Sequence, residues 1–251
     1  MYRLKLYGDF TKADWLSILK IKEEEIPQSF ILHGEWEHEW NISYWKKILQ
    51  EEQWIPSWNA IIGEYNKQRI GFANVFGGPI AASIAHRFAV LGTNRFIQTG
   101  YFGGLSHEIR YGDIFIVTAA VMEDGVSHWY LPNEKTVYAD EMLVEKAVKY
   151  CEEKNYKYIT GTVFSTGAIM AETGGLAKEW ANQGYIGVDM ETATTFAVAK
   201  RFNKKAVSLL NLSDHISKGD TLYSNNEDRG ILEERTDERI REIALHLSEL
   251  K

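Results

Sequence analysis

The strongest constraint on this chain is a series of short, nearly continuous apolar runs, each ending in glycine or a small polar residue. RFIQTGYFGGL (95–105), GDIFIVTAAVM (112–122), YITGTVFST (158–166) and AVSLLNLSDH (206–215) are rich in β-branched and aromatic residues. Strands of this kind are buried on both faces, so the sheet they form must be covered by helices on either side. The intervening segments supply those helices. Ala81 to Val90 is rich in small helix formers, 139–153 is amphipathic, and 191–202 combines small residues with a charged end. From Ile231 onward, Ile240, Ile243, Ala244 and Leu247 fall on one face of a closing helix. AIIGEYNKQRIGFANVF (60–76) predicts two strands about a turn at Asn66-Lys67. Alternation at 1–8 predicts a short strand, and Thr11 is placed to cap a helix over 11–20. Strands alternating with helices, with no Pro- or Ser-rich linker, predict a single α/β domain over 1–251 with a largely parallel sheet.

Residues 21–58 stand apart. They hold Glu23-Glu24-Glu25 and HGEWEHEW with few aliphatic side chains, and are expected to form a surface excursion. Trp36, Trp40, Trp54 and Trp58 within it suit contacts between subunits, being costly to leave in water. His33 and His38 lack the i, i+4 spacing of a helical metal pair, and no metal is expected.

Charge and cysteine usage narrow the function classes. Lys plus Arg is 28 against 35 for Asp plus Glu, a formal charge of -7. A chain of that sign lacks the basic stripe that displaces counterions from nucleic acid. It leaves open a small anionic ligand in a local basic pocket. Cys151, the single cysteine, forms no intramolecular disulfide and reads as a small hydrophobe in a helix. MYRLKLYGDF has charges but no apolar core of a signal peptide, and no run approaches the roughly 18 apolar residues of a membrane span. The expectation is a soluble, cytoplasmic protein.

In open α/β sheets ligands sit at the carboxyl ends of strands. That directs attention to Gly8-Asp9, Thr99 to Gly104, Ser165 to Ile169, and Ser213-Asp214-His215. GxGxxG, GxxxxGK[ST], GxSxG and HExxH are all absent, which argues against dehydrogenase, P-loop, serine-hydrolase and zinc-protease chemistry.

Several spaced features occur in order instead. GGPIAASIAHRFAVLG, QTGYFGGL, GDIFIVTAAVMEDGVS and GVDMETATTFAVAKRFNKKAVSLLNLSDH together resemble the nucleoside phosphorylase superfamily, and GDFTKADWLSIL resembles a worn form of its first phosphate loop. The resemblance is colinear from residue 70 to 215. It implies a single nucleoside phosphorylase-like domain with a central mixed, twisted sheet flanked by helices, and a homo-oligomer, dimer or hexamer. It implies an enzyme that breaks an N-ribosidic bond, with phosphate as the one co-substrate and no other cofactor.

Breaking that bond makes a cationic, oxocarbenium-like sugar and a negative base. A carboxylate near the sugar and an acid near the base both lower the barrier. The resemblance makes Glu191 the carboxylate that holds the ribose hydroxyls and Met190 the residue packed on the sugar. A helix-terminus role for Glu191 is the alternative. Asp214, ending a buried strand, is implied as the acid that protonates N7 of a purine; the alternative is a cap or turn residue. The Gln and Arg with which the pyrimidine branch reads uracil correspond to Thr173 and Gly175. The family's Ser-x-Asp-x-Phe appears as Ser165, Gly167 and Ile169, so its stacking aromatic is missing. Ile169, Val188, Tyr101 and Phe102 are the implied nucleoside-binding wall, with Phe164 as a further aromatic.

The phosphate site departs further. Gln98 and Tyr101 stand where the phosphorylases have an Arg and a small hydroxyl residue. Gly8 and Lys12 match the first loop, and Pro56, Ser57 and Trp58 occupy the region where a neighbouring subunit lends an Arg. An amide is no substitute for a bidentate, permanently charged clamp, and the hydrolytic branch carries an Asn at the position of Gln98. The resemblance therefore leaves three readings: phosphorolysis with a degenerate phosphate site, hydrolysis (including of a nucleoside with a modified sugar), and a catalytically weak nucleoside-binding protein. Arg229 and Arg235 either assist the leaving base or belong to a solvated charge run, NEDRGILEERTDER.

Overall fold

The structure, a computed structural model, describes residues 5–35, 38–55, 59–224 and 227–250. Trp36, Pro56, Ser57 and Trp58, and the first half of the strand expected at 1–8, lie outside these residues. The strands are β1 (Ser29–Gly34), β2 (Gln50–Ile55), β3 (Ala60–Tyr65), β4 (Gln68–Val75), β5 (Arg95–Gly104), β6 (Ile114–Glu123), β7 (Thr136–Tyr138), β8 (Tyr158–Thr166), β9 (Gly187–Asp189) and β10 (Lys205–Asp214). The helices are α1 (Lys12–Leu19), α2 (His38–Ile48), α3 (Gly78–Leu91), α4 (Glu141–Lys154), α5 (Gly174–Asn182), α6 (Thr192–Arg201) and α7 (Glu227–Ser248).

All strands belong to one sheet. Its order is β10-β6-β8-β9-β5-β1-β4-β3-β2, with β7 on the side of β6. Strand β10 pairs with both β6 and β5, so β5, β10, β6, β8 and β9 close on themselves, and β1, β4, β3 and β2 extend outward from β5. Parallel and antiparallel pairings are equally represented among the described residues, so the sheet is mixed rather than largely parallel. The antiparallel pair β3–β4 turns at Asn66 and Lys67, both at positive φ (48° and 65°), the backbone that a tight hairpin requires.

One apolar cluster lies on each face. Phe30, Phe88, Phe96, Phe115 and Phe196 belong to the side covered by α1, α3 and α6. Trp45, Phe72, Ile114, Ile243 and Leu247 belong to the side covered by α2, α4 and α7. Cys151 is buried in the second cluster, and burial pushes its thiol pKa up to about 12, consistent with an inert hydrophobe. No helix among the described residues is long and apolar enough to cross a membrane.

Two expectations fail. Lys5 to Asp9 forms no strand; Tyr7–Asp9 is an exposed turn of 3-10 helix. Residues 29–34, expected on the surface, form β1, buried at every position and parallel to both β4 and β5. The cause is local: SFILHG is a short apolar run embedded in charged flanks, and it packs together with Ile42, Trp45 and Leu49 around it. Trp40 and Trp54 are exposed.

Candidate active site

The carboxyl ends of β1, β5, β9 and β10, the loop after β8 and the start of α7 surround a cavity of about 550 Å³. Two glycines permit the close approach beneath it. Gly100 has φ 142°, and a side chain there would strike the Gly34 backbone at 2.8 Å. A Cβ on Gly34 would come within 2.7 Å of the Glu191 carboxylate, so the end of β1 lies directly against that group.

Glu191 immediately precedes α6 but does not cap it. Its Oε1 accepts from the Gly77 backbone N–H at 2.6 Å, at the start of α3. Asp189 does the capping. It accepts from Thr192 N at 2.9 Å and from Ser165 Oγ at 2.5 Å, while Ser165 Oγ accepts from Ala193 N at 3.0 Å. The MetGlu pair is thus fixed between two helix starts, with Met190 and Glu191 both facing the cavity. Burial, reinforced by the Asp189 charge, raises the Glu191 carboxyl to about 8. Gly167 also has a local reason: a Cβ there would lie 2.9 Å from the Asp124 carbonyl oxygen, which excludes the acidic residue of the family pattern.

Asp214 ends β10 and faces the same cavity. Ser213 Oγ donates to its Oδ1 at 2.6 Å. Burial raises its pKa, against the lowering effects of that hydrogen bond and of Arg229. Arg229 is not part of a solvated run: it donates to the Thr221 and Leu222 carbonyls and lies 3.6 Å from Glu233. Arg235 is exposed, as that reading expected.

Of the residues singled out from sequence, Tyr101, Phe102, Ile169, Val188, Met190, Glu191 and Asp214 line the cavity. Gly8, Lys12 and Gln98, the expected phosphate contacts, are not among the residues that line it. Gly8 is exposed in the turn before α1, and Lys12 pairs with Glu23. Gln98 is fully buried with both ends of its amide engaged: Nε2 donates to Thr99 O at 2.8 Å, and Oε1 accepts from Thr195 Oγ1 at 2.8 Å. It ties the end of β5 to α6 behind Glu191. Tyr101 presents its ring to the cavity, but its hydroxyl donates to Asp237 Oδ2 at 2.6 Å, and burial drives its pKa far up.

Sequence reasoning missed Glu35, Glu172, Asp220 and Glu233, which also line the cavity. Glu35 follows β1, accepts from Asn41 Nδ2 at 2.6 Å and lies 3.3 Å from His33 Nε2. Tyr111 donates to Asp220. With Asp189, Glu191 and Asp214 these make seven carboxyl groups on the wall, and no Lys, Arg or His belongs to the wall among the described residues.

Burial raises Glu172 and Glu233 to about 7, alongside Glu191 at about 8. The ordinary Glu value is about 4.3, so between that value and 8 the folded protein holds protons that the unfolded chain has released. Stability therefore falls as pH rises through this window. Thermal melts of the ligand-free protein should show a Tm at least about 3 °C lower at pH 8.5 than at pH 5.5, the shift that about 1 kcal/mol produces in a chain of this size. A Tm that stays level or rises over that range contradicts the assignment of these groups as protonated.

The phosphorylase superfamily model matches residues 40–247. The purine nucleoside phosphorylase DeoD-type of Buchnera aphidicola subsp. Schizaphis graminum is 28% identical over 172 residues, 67% of this chain and 73% of that protein. Guanosine phosphorylase of Halorubrum lacusprofundi is 24% identical over 152 residues, 61% of this chain and 63% of that protein. Among solved structures, uridine phosphorylase from Vibrio fischeri ES114 superimposes with a TM-score of 0.75 at 20% identity, covering 92% of this chain and 93% of that one. With the cavity at the same strand ends that its signature segments occupy, the chain belongs to the phosphorylase superfamily.

Proposed function

We propose that this protein cleaves the N-ribosidic bond of a purine nucleoside and that water, rather than phosphate, is the nucleophile. The observation that carries the choice of nucleophile is the cavity wall, with seven carboxyl groups and no cationic side chain among its described residues. A phosphate dianion entering that wall finds no guanidinium or ammonium among the described lining residues to hold it. Water needs no such partner. The choice of base rests on Asp214 in the cavity and on the loop after β8, which offers Thr173 and Gly174 and none of the Gln and Arg that read uracil.

In this mechanism Met190 packs on the sugar and Glu191 lies beside it, where its carboxylate stabilises the cation as the C1′–N bond lengthens. Asp214, whose pKa burial raises above the usual carboxylate range, delivers its proton to the leaving base. The oxygen of water bonds to C1′, and the proton that water sheds passes to the surrounding carboxylates. Phe102, Ile169, Val188 and Ile216 supply the apolar wall for the base.

The test is the sugar product of a purine nucleoside across a phosphate titration. Free ribose, formed at a rate independent of phosphate, is expected. Saturable phosphate dependence with ribose 1-phosphate as the only sugar product overturns the choice of water and leaves the bond cleavage standing.

A further inference from the structure

Between Asp214 and α7 the chain returns over the cavity. After a turn of 3-10 helix at Ile216–Lys218 it reverses at Gly219, whose φ is 79°, and Gly219, Asp220, Thr221, Leu222 and Tyr223 all line the cavity. Leu222 and Tyr223 are the large apolar side chains of this strap, and Tyr223 is 84% exposed. Hydrogen bonds within the strap are local: Thr221 N donates to Ser224 Oγ at 2.9 Å, and Tyr223 N to Thr221 Oγ1 at 3.3 Å. Tyr111, which donates to Asp220, and Arg229, in the first turn of α7, tie it to the body of the protein. Arg229 does so with two fingers of one guanidinium. Nη1 donates to Thr221 O at 3.0 Å and Nη2 to Leu222 O at 3.3 Å, while Asp220 and Glu233 lie 3.9 and 3.6 Å away. A planar fork fits two consecutive carbonyls in a way that a single ammonium cannot.

We propose that Arg229 is a positioning residue that clamps the 219–223 strap so that Leu222 and Tyr223 cover a bound nucleoside. The proposal rests on the reading of this cavity as the nucleoside site. Arg229 does not itself line the cavity, so it acts on a ligand through the strap. An untethered strap samples many conformations, and a ligand that needs one of them must supply the cost of ordering it. Apparent affinity then falls in proportion to the fraction of molecules with the strap in place. The chemistry that follows binding is unchanged, because Glu191 and Asp214 are held by other contacts, Gly77 N–H and Ser213 Oγ. Loss of the clamp is therefore a loss of capture and not of turnover.

The experiment measures kcat and KM for adenosine and for a nitrophenyl riboside in the wild type, Arg229→Met, Arg229→Lys, Tyr223→Ala and the Arg229→Met/Tyr223→Ala double variant. Hydrogen exchange over 219–224 is followed in the same proteins. Arg229→Met should raise KM for both substrates by at least about 10-fold, the effect of losing a hydrogen bond to a charged group, with kcat within about threefold. Exchange should accelerate over 219–224 and stay unchanged in the β-sheet. Arg229→Lys keeps the charge without the fork, and its KM should stay at least about threefold above wild type. Tyr223→Ala alters an exposed side chain, so its Tm should be unchanged. Its KM should rise about threefold or more, the worth of one aromatic contact. In the Arg229→Met background the same change should raise KM by less than about 1.5-fold, because the ring is no longer held over the ligand. A kcat loss confined to adenosine, sparing the nitrophenyl riboside, makes Arg229 a partner of the general acid and overturns the proposal. So do an unchanged KM, full recovery by Arg229→Lys, additive effects in the double variant, or exchange accelerated throughout the chain. If the wild type cleaves neither substrate, the cleavage reading fails separately, and adenosine affinity by calorimetry takes the place of KM. The same ratios then support the clamp, and equal affinities or no binding of adenosine overturn it.

Discussion

Glu191→Gln is expected to lower kcat by about 10²–10³-fold, the range seen when one fixed electrostatic partner of a transition state is removed, while the fold is retained. The substitution is nearly isosteric, and the retained carbonyl oxygen still accepts from the Gly77 N–H. What it removes is the negative charge beside the sugar. It also removes a buried carboxyl from the neighbourhood of Asp189, whose charge helps hold Glu191 at about 8. The ligand-free variant should therefore be at least as stable as the wild type at pH 8, where that carboxyl is costly to ionise. The combination separates function from structure: an activity deficit with an unchanged or raised Tm is expected. A variant with kcat within threefold of wild type takes Glu191 out of the mechanism. A variant that loses activity together with its thermal transition shows that the carboxylate holds α3 and α6 together.

The parts of this architecture legible in the sequence are those where local pattern and tertiary environment agree. β5, β6 and β10 are apolar on both faces because both faces are covered, so their runs are continuous and unmistakable. Asp214 was legible because it ends such a strand, where a buried carboxylate needs a reason, and Glu191 through the family resemblance of the Met-Glu pair before α6. β1 was not legible. Its core is the short run Phe30-Ile31-Leu32, and the acidic stretch before it and HGEWEHEW after it outweigh that run in any local reading. Losing β1 displaced the first phosphate loop to Gly8, a position that resembles a strand end in sequence and is an exposed turn in the fold.

Glu233 and Asp237 were hidden for a different reason. They lie in a segment where Glu, Asp and Arg alternate, and such a segment reads as a solvated helix face. Only tertiary contact shows that this face of α7 meets Tyr101 and Asn211, across 136 and 26 residues of sequence. Gln98 illustrates the converse. Its position in a motif suggested a ligand contact, yet it is fully buried, its Nε2 donating to Thr99 O and its Oε1 accepting from Thr195 Oγ1.

Asp214→Asn is expected to lower kcat for purine nucleosides by roughly 10²–10⁴-fold, the contribution of one positioned general acid. The amide keeps the oxygen that accepts from Ser213 Oγ, so the end of β10 should hold its geometry. It has no proton to give to N7. The effect should depend on the leaving group. A nitrophenyl riboside, whose departing phenolate is stable without protonation, should lose less than about tenfold, because the acid then contributes little to the barrier. The pH profile supplies an independent reading. Burial raises the Asp214 pKa, so its proton-donating form persists to higher pH than in a free carboxyl, and kcat/KM for a purine nucleoside falls as pH rises through that raised value. In Asp214→Asn that falling limb should vanish, while any rising limb from ionisation of Glu191, held at about 8, persists. Equal losses on the nucleoside and the nitrophenyl riboside, with the falling limb intact, would assign the proton to another group facing the cavity, and Glu172 is the carboxyl placed to supply it.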